Sequence, residues 1–339
     1  MKAAIGTVAA VGFAGAAYAD NHSASLAAIK EKGSVQCGVS QGLPGFSTAD
    51  DAGNWTGIDV DLCRAVAAAV FGDANAVKYT PLSAKERFTA LQSGEVDMLS
   101  RNTTWTMTRD TSLGLNFAGV NYYDGQGFMV PADLGVSSAT ELDGATVCIQ
   151  TGTTTELNLA DFFRSNNMSY EPVPVETGAE AVQQYNAGAC DIYTTDRSAL
   201  AAQRANFEDP SAHVILPEVV SKEPLGPLVR HGDHEWGDIV RWTLYALITA
   251  EELGVNSANL EEMSGGSNNP EINRLLGSEG DLGAMLGLDG AWALRAIGVE
   301  GNYGEIFEKN IGESTPIGLA RGLNAQYYEG GLIYSPPFR

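Results

Sequence analysis

Between residues 34 and 195 the chain runs twice through one alternation of short apolar segments and amphipathic ones, and a parallel sheet with crossover helices is what such an alternation builds. In the first series, residues 34–39 (SVQCGV) read as a strand stopped by the turn SQGLPG, and 54–58 as a second short strand. A helix over 59–71 follows, with Asp59 and Asp61 in the first turn, where the helix dipole favours acids. A strand over 77–80, a helix over 83–93 and a strand over 96–100 complete the series. The apolar, aromatic stretch 119–130 reads as a long strand leaving this unit.

The pattern restarts at Ala145 with the strand ATVCIQ, the turn TGTTT and a helix over 156–166. A strand over 170–175, a helix over 179–187 and a strand over 190–195 follow. The extended segment PLGPLV over 224–229 then returns the chain to the first unit, ahead of an amphipathic helix over 239–251. Two α/β units, one inserted into the other, imply two connecting segments and a cleft between lobes, at the carboxyl ends of parallel strands, where small ligands bind. The expected division is lobe 1 over 20–129 and 225–339 and lobe 2 over 130–224. From about residue 256 the chain is rich in Gly and Asn without a sheet pattern, and it reads as an extension wrapping lobe 1.

A chain of 339 residues with 44% hydrophobic content suffices for two such cores. Its first residues carry Lys2, an apolar stretch, and the small-x-small site Ala17-Tyr18-Ala19 before Asp20, which reads as a signal peptide over 1–19 cleaved after Ala19. No later run approaches the ~20 apolar residues of a membrane helix, so the mature chain is expected to be soluble. A formal charge of -22 argues against nucleic acid and anionic membranes as partners. Four cysteines behind an export signal permit two bridges. Keeping each bridge within one lobe selects Cys37–Cys63 and Cys148–Cys190; the alternative is four buried thiols.

The stretches GVSQGLPGFS, GIDVDLCRAVA, ERFTALQSGEVDML, TTWTMTRDTSLGLNF, TGTTTELNL and CDIYTTD occur in an order that resembles the polar amino-acid-binding proteins of ABC importers. With NYGEIFEKNIG and RGLNA near the C-terminus, the chain is most similar to the branch of general L-amino-acid-binding proteins. The resemblance implies a type II periplasmic-binding-protein fold, a free L-amino acid as ligand, a transmembrane permease of an ABC importer as partner, and no cofactor. It also implies a monomer, with hinge crossings near 128–133 and 221–227.

Every free amino acid presents the same zwitterion, and arginine supplies the fork of donors that a carboxylate wants. The resemblance places that arginine at Arg109, with Thr104 as companion hydroxyl and Asn102 as a backbone or amide contact. Gly152, Thr153 and Thr154 form the strand-to-helix turn of the lobe-2 clamp, suited to an anion by its N–H groups; helix capping is the other role open to Thr154. Asp196 is the implied partner of the ammonium group. Towards the ligand side chain, Ser40 stands where binders of basic amino acids carry an acid, Phe46 is an apolar wall, and Arg87 matches a position that holds a side-chain carboxylate in acidic-amino-acid binders. These residues fit neutral polar and acidic ligands.

The alternative is an enzyme of the same fold, such as a cyclohexadienyl or arogenate dehydratase. No nucleophile elbow, HExxH, P-loop or dinucleotide glycine fingerprint occurs. The pair His231 and His234 reads as a solvated turn before a metal site. No catalytic residue and no metal are expected.

Overall fold

The computed structural model describes residues 23–339. The signal peptide expected over 1–19, with its cleavage after Ala19, falls outside the described residues. Helix α1 (Ala24–Lys32) is capped by Ser23, whose Oγ accepts from the Leu26 amide, and leads into β1 (Val35–Ser40). The hairpin β2 (Thr48–Ala49) and β3 (Trp55–Thr56) precedes α2 (Ile58–Phe71), β4 (Val77–Leu82), α3 (Glu86–Ser93), β5 (Met98–Leu99), α4 (Met107–Ser112) and β6 (Leu115–Phe117). Gly57, at φ 127°, starts α2 where a Cβ would stand 2.2 Å from the Phe46 carbonyl oxygen, so glycine is required there.

Strands β7 (Tyr122–Asp124) and β8 (Gln126–Pro131) follow, then β9 (Ala145–Gln150), α5 (Thr154–Ser165), β10 (Tyr170–Val175), α6 (Gly178–Asn186), β11 (Ile192–Asp196), α7 (Arg197–Arg204), β12 (His213–Ile215), β13 (Glu223–Leu225) and β14 (Leu228–Arg230). The chain ends with α8 (His234–Glu252), α9 (Leu260–Ser264), α10 (Pro270–Leu275), α11 (Trp292–Glu300) and α12 (Tyr303–Asn310).

Two five-stranded sheets result, ordered β4-β1-β5-β14-β6 and β10-β9-β11-β8-β12. In the first, β1 runs parallel to β4 and β5, and β14 is antiparallel to β5 and β6. In the second, β9 runs parallel to β10 and β11, and β8 is antiparallel to β11 and β12. The parallel strands β1, β5, β9 and β11 end at Ser40, Leu99, Gln150 and Asp196. The turns that leave these ends carry most of the site residues expected from the sequence.

The stretch expected as one long strand is two. Gly125 divides it, at a place where a Cβ would meet Val219 Cγ1 at 2.2 Å and the Ser221 carbonyl oxygen at 2.8 Å. Before the break, β7 pairs antiparallel with β13 in a separate two-stranded ribbon. After it, β8 is an interior strand of the second sheet, with Phe128 and Val130 on one face and Met129 on the other. The crossing expected near 128–133 therefore falls earlier, at β7, because Phe128 is already a core residue of the second lobe. The crossing expected near 221–227 coincides with β13.

Both expected disulfides are present: Cys37–Cys63 ties β1 to α2, and Cys148–Cys190 ties β9 to the approach to β11. The C-terminal segment is helical and packs on the first lobe, with Trp292, Ile297, Tyr303 and Phe307 in the same core as Val66 of α2 and Leu244 of α8. It also reaches β7. Asn324 accepts from the Tyr123 amide at 2.6 Å and donates to the Tyr123 carbonyl at 3.0 Å, completing the edge of β7 that β13 leaves unpaired. The Tyr303 hydroxyl donates to the Asn121 carbonyl at 2.9 Å, and Phe307 stacks on Tyr122 with centroids 6.2 Å apart. Arg321 holds this segment through paired bonds to Glu251 at 2.7 and 3.1 Å.

Asn324→Ala strips both partners from the Tyr123 backbone, and should lower stability by about 2 kcal/mol in denaturant unfolding. Unchanged stability would show that water replaces the amide at no cost.

Candidate functional site

The turn after β5 is held from below by Asp59, at the first turn of α2. Its buried carboxylate accepts from Ser100 Oγ at 3.0 Å, the Asn102 amide at 2.8 Å and Asn121 Nδ2 at 3.2 Å. Asn102 sits at φ 33°, a left-handed conformation that asparagine tolerates better than most residues, and its Oδ1 is buried with no hydrogen-bond partner. So fixed, the turn presents Arg101, Asn102 and Thr104 to a cavity of about 230 Å³ between the lobes. Burial pushes the Asp59 carboxyl up, against the lowering effect of its three donors.

Arg87, Arg101 and Arg109 gather here, at 3%, 5% and 8% exposure. Arg87 Nη1 donates to Thr103 Oγ1 at 3.1 Å, Arg101 Nε to the Leu82 carbonyl at 3.0 Å, and Arg109 Nη1 to the Thr104 carbonyl at 3.0 Å. The Phe88 ring lies beside two of them, 4.8 Å from the Arg87 guanidinium carbon and 5.1 Å from that of Arg109. Burial lowers all three guanidiniums from their ordinary value, Arg101 to about 10, and Arg101 and Arg109 add mutual repulsion to the burial of Arg87.

From the second lobe, Thr153 rather than Thr154 caps α5: its Oγ1 accepts from the Glu156 amide at 3.2 Å. Thr154 is thereby free to face the cleft. Its hydroxyl donates to Glu223 Oε2 at 2.9 Å and lies 3.2 Å from the Thr104 hydroxyl of the first lobe. Glu223, on β13, is buried and also accepts from Asn158 Nδ2 at 2.7 Å and Ser221 Oγ at 2.6 Å. Across the rim, Lys85 Nζ meets Glu176 Oε1 at 2.8 Å. The two lobes touch, so this is a closed arrangement.

Asp196 ends β11 and is 6% exposed, yet its side chain does not cap α7. Burial, with Asp124 and Glu223 nearby, pushes its carboxyl well above the usual range, opposed by Arg87 and Arg109. Such a carboxylate gains most from an incoming cation.

Of the residues expected from the sequence, Ser40, Arg87, Asn102, Thr104, Thr153, Thr154 and Asp196 line this one cavity. Arg109 lies directly behind Thr104. Gly152, at φ 77°, abuts Lys85 across the rim, where a Cβ would meet Lys85 Cγ at 2.8 Å. Phe46 is set apart: it is 1% exposed, meets Tyr122 edge-on at 5.4 Å, and belongs to the core rather than the lining. Arg101 and Glu223 were not expected. An arginine after a strand and an acid in SKEP both read as solvated, and nothing in their spacing distinguishes them. Among the described residues no three His, Cys, Asp or Glu side chains could hold a metal ion, and no helix is long and apolar enough to cross a membrane.

Two α/β lobes closing on a polar cavity at the ends of their parallel strands define a solute receptor of the type II periplasmic-binding-protein fold. The chain belongs to the bacterial extracellular solute-binding proteins, family 3, whose pattern spans residues 35–257. It is 61% identical over 326 residues to the glutamate/glutamine/aspartate/asparagine-binding protein of Rhodobacter capsulatus, covering 96% of this chain and 95% of that one. It is 58% identical over 341 residues to the general L-amino acid-binding periplasmic protein of Rhizobium johnstonii, covering 100% and 98%. A solved ABC transporter periplasmic binding protein from Brucella ovis with glutathione bound matches with a TM-score of 0.91 at 58% identity, over 94% of this chain and 100% of that chain. All three relatives extend over the C-terminal segment that the family pattern leaves out.

Burial pushes the Asp124 carboxyl, beside Ser198, up to about 6. A raised acid stabilises the fold fully below its unfolded value near 4 and loses that contribution as pH climbs through about 6. Asp124→Asn should therefore gain on the wild type as pH rises from about 4 to about 7 in ligand-free unfolding. A pH-independent difference would contradict the shift.

Proposed function

We propose that the protein captures free L-amino acids in the periplasm and delivers them to the permease of an ABC importer, acting as a receptor and not as an enzyme. The observation that carries this reading is the pairing, in one closed cavity, of buried arginines with a buried acid that makes no capping bond. The α-carboxylate goes to Arg109, with Thr104 and the N-terminal turn of α5 beside it. Thr154 and the first amides of α5 complete that clamp only when the lobes meet. The ammonium goes to Asp196, whose carboxylate the cation returns to the charged form. The amino-acid binding named for the Rhodobacter capsulatus and Rhizobium johnstonii relatives, and the ABC transporter named for the Brucella ovis protein, support the ligand class and the importer in this reading.

The glutathione of the Brucella ovis structure fits this chemistry, because its γ-glutamyl end carries the same free ammonium and carboxylate. Lobe 1 binds first in this reading, and closure bends the ribbon of β7 and β13, the place where both crossings meet. The closed surface is what a permease reads. Export through a signal peptide cleaved after Ala19 belongs to the same proposal, resting on Ala17-Tyr18-Ala19.

Thermal unfolding with each of the twenty amino acids tests it. Several neutral polar and acidic ligands should raise the melting temperature, the shift growing with concentration. Arg109→Ala should weaken all of them alike, by roughly 30-fold or more for a lost bidentate charge pair. If no amino acid stabilises the protein, the receptor reading fails; a loss confined to one ligand moves Arg109 to the side-chain end.

A further inference from the structure

We propose that Arg101 is a second arginine for the side-chain carboxylate of an acidic ligand, beside Arg87, to which the family resemblance already gives that role, so that glutamate and aspartate are held by two guanidiniums distinct from the one that holds the α-carboxylate. This deepens the amino-acid-binding reading and rests on it.

Arg101 lines the cavity at 5% exposure, and among the described residues only its Nε has a hydrogen-bond partner, the Leu82 carbonyl. Neither terminal amino group has a hydrogen-bond partner among the described residues and neither is sealed in the interior, on a residue that lines the cavity. A guanidinium that is nearly buried with one of its five N–H donors paired is costly to keep unless something fills the space before it. Arg87 is in a similar state: Nη1 is taken by Thr103, Nε is sealed without a partner, and Nη2 has none. The two are coupled through one link, because the Thr103 hydroxyl that accepts from Arg87 donates to the Arg101 carbonyl at 2.9 Å.

The acids at hand do not neutralise this pair. Asp59 is occupied by Ser100, Asn102 and Asn121, and Glu223 by Thr154, Asn158 and Ser221. No salt bridge within 4.0 Å reaches Arg87 or Arg101 among the described residues. Asp196 lines the same cavity without a capping bond, and in this reading the ligand ammonium claims it. A second carboxylate on the ligand, planar and able to accept from two forks, supplies what the cavity lacks. A side-chain amide accepts through one oxygen only, and its NH₂ donors would face donors.

Calorimetric titration of wild type, Arg101→Gln and Arg101→Lys with L-glutamate, L-aspartate, L-glutamine and L-asparagine tests this. Arg101→Gln should lose roughly 30-fold or more in affinity for the two acids and less than about threefold for the two amides. Arg101→Lys, which keeps the charge and loses the fork, should fall between. Retained amide binding reports that each variant is folded and that its zwitterion clamp works. Equal losses for acids and amides, or no loss for the acids, overturn the role of Arg101. A wild type that binds none of the four overturns the amino-acid reading instead.

Discussion

The buried carboxylate of Asp59 is the contact on which the binding surface of the first lobe depends. It takes hydrogen bonds from Ser100, from the Asn102 amide and from Asn121, and so fixes a turn that leaves the sheet, bends through a left-handed asparagine and ends at Thr104. Arg101, Asn102 and Thr104 owe their direction to that anchor, and Arg109 is placed by its bond to the Thr104 carbonyl. Desolvation opposes the charge of Asp59, and its three donors favour it. Removing those donors would leave an unsatisfied acid in the core, which is why the arrangement tolerates little movement. Asn121 extends the same network towards β7, so the ligand-facing turn and the crossing between lobes share one support.

The second lobe meets this rigid surface through a more adaptable set of contacts. Thr154 and Asn158 approach on α5 and close on Glu223, which sits on the crossing strand rather than in either sheet. The rim pair Lys85 and Glu176 is solvent-exposed, and such pairs contribute little on their own. Closure thus depends on what lies between the lobes more than on the lobes' affinity for one another. The C-terminal segment acts on the same ribbon from behind, since Asn324, Tyr303 and Phe307 all contact residues of the first crossing. A ribbon of two strands, alone, would be marginal in water.

The alternation of strands and helices was legible because each sheet has a parallel part, β4-β1-β5 and β10-β9-β11, joined by amphipathic crossovers, and periodicity reports that directly. The interruption at Gly125 was not, because its cause is the approach of Val219 and Ser221 from a distant part of the chain. The helices after Asn256 were obscured by short lengths and many turns, although their apolar residues fill the first core. In the site, Ser40, Asn102, Thr104, Thr153, Thr154 and Asp196 of the family motifs line one cavity, and their position on strand ends and helix starts agrees with local turn chemistry. Phe46 was placed on the wall by its motif, yet it turns inward to Tyr122. Arg101 and Glu223 were missed for one reason: a charged residue declares its burial only through neighbours that the sequence does not bring together.

The proposed function rests on recognition, in the cavity, of the two charged ends shared by all free amino acids. Titration with L-glutamine, N-acetyl-L-glutamine and the α-amide of L-glutamine, which differ only at those ends, tests it most directly. The account predicts that free glutamine binds, and that blocking either the ammonium or the carboxylate weakens binding by about a hundredfold or more. Equal affinity for the free and the blocked forms would contradict it.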